Sequence, residues 1–182
     1  MASLHRPAEI ITLLQDIERR NQQGAAGLSQ KDHPEGAWSA IGFRIGKHHM
    51  LIPLDHAREM FPVPEEITRV PKSQPWIFGI ANLRGDLLPI VDLQHFLMDK
   101  PGKLDKRSRI LVLNHPEYFT GLLVDEVFGL KHYGRQPETH DPTQHLNLTP
   151  YLTGSVFQQG TQWLVMSFQK LAEDPRFINA AA

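Results

Sequence analysis

The sequence contains no cysteine. Disulfides, thiolate nucleophiles and cysteine-ligated metals are thereby excluded, and a reducing compartment is compatible with the chain. Excess charge of either sign is also missing: 19 Lys and Arg stand against 20 Asp and Glu, a formal net charge of -1. That balance disfavours a partner held chiefly through phosphates. No apolar run approaches the ~18–20 residues that cross a bilayer. Met1 to Gln30 lacks a long apolar core followed by a small-residue cleavage site, so neither a signal peptide nor direct membrane insertion is expected. The expected location is the cytoplasm. Phosphate-binding loops, dinucleotide fingerprints and G-x-S-x-G elbows are missing too. The 10 histidines are scattered. His48 and His49 are adjacent and would point to opposite faces of a strand. His132, His140 and His145 share one loop at loose spacing. No metal site and no cofactor is expected.

What is present begins with a helical pattern. Pro7 suits a first turn, and Ile10, Leu13, Leu14 and Ile17 form one apolar stripe. Gln22 to Gly36 reads as a linker, so residues 1–37 form an N-terminal helix-and-linker extension. From Trp38 onward short apolar runs alternate with turn residues. The strand candidates are Ala40–Ile45, Met50–Leu54, Ile77–Leu83, Leu87–Val91, Arg109–Asn114, Gly121–Leu130, Leu152–Phe157 and Gln162–Met166. Many short strands with turn signals between them predict a mainly β barrel or sandwich. Residues 173–182 read as a C-terminal tail.

The strands repeat. Ile52, Asp55, Ala57 and Met60 recur as Leu122, Asp125, Val127 and Leu130. Gly79 and Gly85 recur as Gly154 and Gly160. Asp92 recurs as Ser167, each an N-cap residue before a short apolar-periodic helix. Two β-rich halves, about 38–98 and 109–172, are predicted on either side of the Asp99–Ser108 connection. About 60 residues make a marginal core, so the halves are expected to pack together and leave a groove.

Trp76 to Leu93 carries the frame W-x2-G-x2-N-x-R-G-x3-P-x2-D-L. It closely resembles the signature of CheW-like domains. Ile67–Pro71, Gly121–Val127 and Tyr151–Gly154 resemble the family's other hallmarks, in order, so the resemblance spans about 38–172. It implies two pseudo-symmetric five-stranded SH3-like barrels. It also implies a non-enzymatic adaptor bridging a chemoreceptor tip and a CheA-type histidine kinase. Within the family the chain is most similar to the PilI-type adaptors of type IV pilus and twitching systems, which share its N-terminal helix, Ile41–Arg44, Val124–Gly129 and Trp163–Val165.

The resemblance assigns receptor binding to Arg84, with Glu59 as its pairing partner. Without it, Arg84 reads as a solvated turn arginine. Asn82, Ala57 and Val127 complete the expected receptor-binding set, and Asn82 is also expected to bond within its own turn. Ala57 and Val127 either line the groove between halves or simply pack the core. Trp76, Gly79, Gly85, Pro89, Asp92, Asp125 and Gly154 are read as construction. Gly85 sits in a turn, and Pro89 implies an edge strand or a bulge. An acid–base pair of Asp92 and Asp125 is the weaker reading, because no tuned neighbours are visible. Lys100, Lys103, Lys106, Arg107 and Arg109 read as a solvated linker, with an acidic partner surface as the second reading. The rival functions are a small nucleic-acid-binding barrel, which needs a basic face with stacking aromatics, and a β-scaffold hydrolase, which needs a nucleophile and base.

Overall fold

The structure is a computed structural model that describes residues 36–139 and 147–181. The expected N-terminal helix, most of the linker after it, and His140 and His145 lie outside the described residues. The first half supplies β1 (Trp38–Ile45), β2 (His48–Pro53), β3 (Ala57–Pro62), β4 (Ile77–Leu83), β5 (Asp86–Asp92) and helix α1 (Leu93–Met98). The second supplies β6 (Arg109–Leu113), β7 (Gly121–Val124), β8 (Glu126–Tyr133), β9 (Leu152–Gln158), β10 (Thr161–Met166) and α2 (Phe168–Ala172), followed by α3 (Pro175–Ala181).

The strands form two five-stranded sheets, in the orders β8-β1-β2-β10-β9 and β3-β6-β7-β5-β4. These two orders become identical when each strand is exchanged for its repeat equivalent. Each sheet therefore takes its first two repeat strands from one half and the last three from the other. The sequence halves 38–98 and 109–172 are not the spatial barrels. Gly121–Leu130, expected as one strand, breaks at Asp125, and the chain passes there from one sheet to the other. In the first half a single 3-10 turn, Leu54–His56, makes the same crossing, and the strand after it, β3, was missed by pattern. A one-turn crossover cannot return the chain to its own sheet edge, so the strand that follows completes the neighbouring barrel.

Burial follows from this exchange. Ile41, Phe43, Met50 and Ile52 of one sheet meet Leu111, Leu113, Leu122 and Val124 of the other in the central cluster. The opposite faces enclose two smaller clusters, one around Ile90, Ile110 and Leu123, the other around Leu51, Trp163 and Val165. Strands buried on both faces read as continuous apolar runs rather than alternation. Fully burying one such side chain contributes about 1.5–3 kcal/mol, so the central seam is the main stabilising layer. Residues 173–181, read as part of a C-terminal tail, are ordered. Pro175–Ala181 is helical, with Phe177 fully buried against Phe96 and Phe168. Tyr151 donates its hydroxyl to Asp174 and accepts from Arg176 Nη2 at 2.8 Å, which ties that helix down.

Strand exchange makes a direct prediction. Residues 38–98 alone lack the strands that flank β1 and β2, so the fragment should show the circular dichroism of an unfolded chain. Mixing it with residues 99–182 should restore β signal. A cooperative urea transition for 38–98 by itself would contradict the exchanged topology.

Candidate functional site

Arg84 and Gly85 are the two loop residues of the β4–β5 hairpin, closed by Leu83 opposite Asp86. Both have positive φ, 55° and 98°. That is the backbone of a type I′ turn, whose twist matches the strands it joins. Asn82 Oδ1 accepts the Gly85 N–H at 2.8 Å, as expected, and pins the turn. The equivalent loop, Gln159–Gly160, also has φ of 51° and 75°. The unusual backbone at Arg84 is therefore a requirement of the repeat and is not peculiar to the arginine.

The side chain is peculiar. Arg84 Nη2 lies 3.4 Å from Glu59 Oε2, with the arginine side chain 63% exposed and the glutamate side chain 11%. Glu59 is on β3, and β3 and β4 are the two edge strands of their sheet. The pair therefore bridges the rim of a curled sheet. A bulge puts it there: the β3–β6 register shifts between Ala57 and Glu59, which turns Ala57 to the central cluster and Glu59 to the other face. The same bulge occurs on β8, where Val127 takes the place of Ala57 and Gly129 that of Glu59. Neither half of the ion pair recurs, since Gln159 and Gly129 stand at its positions. On the adjoining strand Leu87, opposite Asn82, is 68% exposed, and Arg58, next to Glu59 in sequence, holds its guanidinium 5.6 Å from the Phe119 ring centroid. Ala57 is fully buried and Val127 half-buried against the central cluster, so of these two only Val127 retains surface.

The remaining motif residues build the frame. Gly79 is glycine because a Cβ would meet Ile67 Cγ2 at 2.5 Å and the Thr68 carbonyl oxygen at 2.7 Å. Thr68 exchanges both backbone hydrogen bonds with Ile80 at that contact. Gly154 repeats the arrangement under Glu138, which exchanges both with Ser155. Pattern reading missed Thr68 and Glu138, since a single bridge carries no periodicity. Trp76 packs on Phe96 at 5.6 Å, and its carbonyl accepts the Asp92 N–H. Pro89 lies neither at a bulge nor on an edge strand, because β5 is flanked by β4 and β7. The ladder with β7 starts only at Ile90, so beside Pro89 that flank is uncovered and no donor is missed.

The two aspartates serve separate jobs. Asp92 caps α1, accepting the His95 N–H at 3.0 Å, and its second oxygen accepts the Gly102 N–H at 2.9 Å. Asp125, at the crossover, accepts from Gly46 N at 2.7 Å and Arg44 Nη1 at 3.1 Å. Burial pushes its pKa up. The Gly46 N–H and Arg44 oppose that shift, and the charges of Asp92 and Asp105 add to it. The arrangement supplies hydrogen bonds across a joint and positions no nucleophile. Among the described residues no group of three His, Asp or Glu converges as a metal site.

The two hairpins allow the ion pair to be weighed. Gln159→Gly removes a side chain from positive φ and should raise stability by about 1 kcal/mol. Arg84→Gly gains the same backbone relief but loses the Glu59 pair, itself worth ~0–1 kcal/mol at this exposure. In urea unfolding Arg84→Gly should therefore gain no more than Gln159→Gly. A large destabilisation by Arg84→Gly alone would make the arginine a structural residue.

A family model described as the CheW-like domain matches residues 39–176. Protein PilI of Pseudomonas aeruginosa is 38% identical over 170 residues, covering 93% of this chain and 94% of that protein. Chemotaxis protein CheW of Helicobacter pylori is 31% identical over 139 residues, 75% of this chain and 83% of that one. The crystal structure of the scaffolding protein TtCheW from Thermoanaerobacter tengcongensis superposes with a TM-score of 0.68 at 22% identity. It covers 82% of this chain and 96% of that one, and so supports the pair of small barrels as a fold. With the signature hairpin, the duplicated bulge and the glycine-pinned edges all in place, the chain belongs to the CheW-like domain family.

Proposed function

We propose that the chain is a non-enzymatic adaptor that joins the cytoplasmic tip of a chemoreceptor to a CheA-type histidine kinase, with Arg84 at the receptor surface. Its output is chemotaxis or type IV pilus twitching. The observation that carries the assignment is the broken symmetry of the two hairpins. Fold requirements explain Gly85, Asn82 and the positive φ at Arg84, because the second barrel meets the same geometry with other residues. They do not explain a guanidinium held by a nearly buried carboxylate that the second barrel lacks. A held guanidinium keeps donors free for a partner's carboxylate or carbonyl groups and loses less entropy on binding. Leu87, exposed on the strand that follows the hairpin, offers apolar contact to one face of a partner helix.

Such a protein acts through binding free energy alone, so its effect on the kinase equals the coupling between two contacts. Among the described residues no helix is long and apolar enough to cross a membrane. The proposed site of action is the cytoplasm, at membrane-bound receptor arrays. Nothing in the site or in the related proteins favours the nucleic-acid alternative.

Arg84→Ala should weaken binding to an immobilised receptor-tip fragment by about tenfold or more, the equivalent of ~1.4 kcal/mol. Its melting temperature should stay within a few degrees of the parent, as expected for an exposed pair. Glu59→Gln should cause a smaller loss, and Gln159→Ala none. Unchanged receptor affinity in Arg84→Ala, or an equal loss in Gln159→Ala, would refute this placement.

A further inference from the structure

The Asp99–Ser108 connection forms one wall of a cavity of about 350 Å³ lined by Arg44, Gly46, Gln94, Lys100, Pro101, Lys103, Asp105, Arg107 and Asp125. Its walls come from both barrels. Arg44 and Gly46 belong to the β1–β2 hairpin of one sheet, and Gln94 to α1, which follows a strand of the other. Asp125 is the crossing point between them. This volume falls at the lower end of the ~300–1,000 Å³ range of small-molecule sites.

Two features of the lining take no part in the hydrogen bonds and ion pairs among the described residues. Gln94 is only 8% exposed, yet its side-chain amide makes no hydrogen bond among the described residues. It is not one of the fully enclosed polar groups that lack a partner, so the amide keeps contact with solvent, which a ligand can replace. Lys100 and Lys103 line the same cavity and form no ion pair among the described residues.

The other charges are already committed. Asp125 takes Gly46 N and Arg44, Asp105 takes Arg107, and Glu126 takes Arg44 and Arg107 at 3.6 and 3.5 Å. Asp92, 4% exposed beneath Gly102, spends its oxygens on His95 and Gly102. Each carboxylate has a donor inside the protein. What remains unspent among the lining residues is one amide, on a mostly buried residue, and two exposed ammonium groups. A residue that is only 8% exposed is more accessible to a small ligand than to a flat protein surface.

We propose that this cavity is a binding site for a small organic anion, whose carboxylate or phosphate group lies between Lys100 and Lys103 while its polar body bonds the Gln94 amide. Occupancy would tie the hairpin of one barrel to the helix of the other through the connecting strap. It would thereby stiffen the relative placement of the two barrels. The site lies outside the Arg84 hairpin and does not depend on the receptor assignment.

The test uses the full chain labelled with ¹⁵N, titrated separately with citrate and with pyrophosphate, to separate carboxylate from phosphate chemistry. The Gln94 side-chain amide and the Gly46 and Gly102 backbone amides should shift saturably below ~10 mM with at least one probe. The double variant Lys100→Ala/Lys103→Ala should bind about tenfold more weakly, with an unchanged circular dichroism spectrum. Gln94→Met, which keeps the side-chain volume, should also weaken binding. A Lys72→Ala control should bind as the parent does. Non-saturating shifts with both probes would overturn the proposal. So would shifts that the double variant leaves intact, because the binding would then be adventitious.

Discussion

The structure depends on one constraint: the chain crosses between sheets in a single turn after β2 and again after β7. Asp125 holds the second crossing by accepting the Gly46 N–H and Arg44 of the opposite sheet, while its own N–H donates to the Arg44 carbonyl. Every strand after a crossing completes the other repeat's barrel. Neither repeat then possesses a closed sheet or a full core. Two units of marginal size become one cooperative structure with a shared apolar seam. For an adaptor this matters mechanically. A partner that displaces one barrel pulls on strands contributed by both halves of the sequence.

Duplication also separates construction from function. Where the two halves agree, the fold demands the residue or its geometry. Gly79 and Gly154 lie under crossing backbones, and Asp92 and Ser167 cap short helices, accepting from His95 N and Lys170 N. Positive φ at Arg84 and Gln159 belongs to the same category. Where the halves disagree, another demand is present. Arg84 with Glu59 is such a place, and Lys100 and Lys103 lie in the connection that has no repeat equivalent at all.

Much of this was legible in the sequence, for identifiable reasons. Hairpin loops, N-caps and two-faced apolar strands leave local marks, so nine of the strand positions and both capped helices followed from pattern. The Asp125 break did not, because Val124 and Val127 on either side are equally apolar. Only the long-range bonds to Gly46 and Arg44 reveal that the chain changes sheet there. Thr68 and Glu138 were hidden for a similar reason, each making one bridge to a glycine-lined strand. The Arg84–Glu59 pair required the family resemblance, since 25 residues of sequence separate its members and a bulge decides where Glu59 points. Gln94 gave no signal, because an unpaired amide is visible only when its surroundings are known.

The central claim is coupling, which binding measurements on one partner do not reach. The most direct test is autophosphorylation of a CheA-type kinase reconstituted with receptor tips in the presence and absence of this chain. The account predicts that kinase activity responds to the receptor only when the chain is present. It also predicts that Arg84→Ala abolishes that response while leaving the kinase's basal activity unchanged. Receptor control that is equally strong without the chain, or that survives in Arg84→Ala, would contradict it.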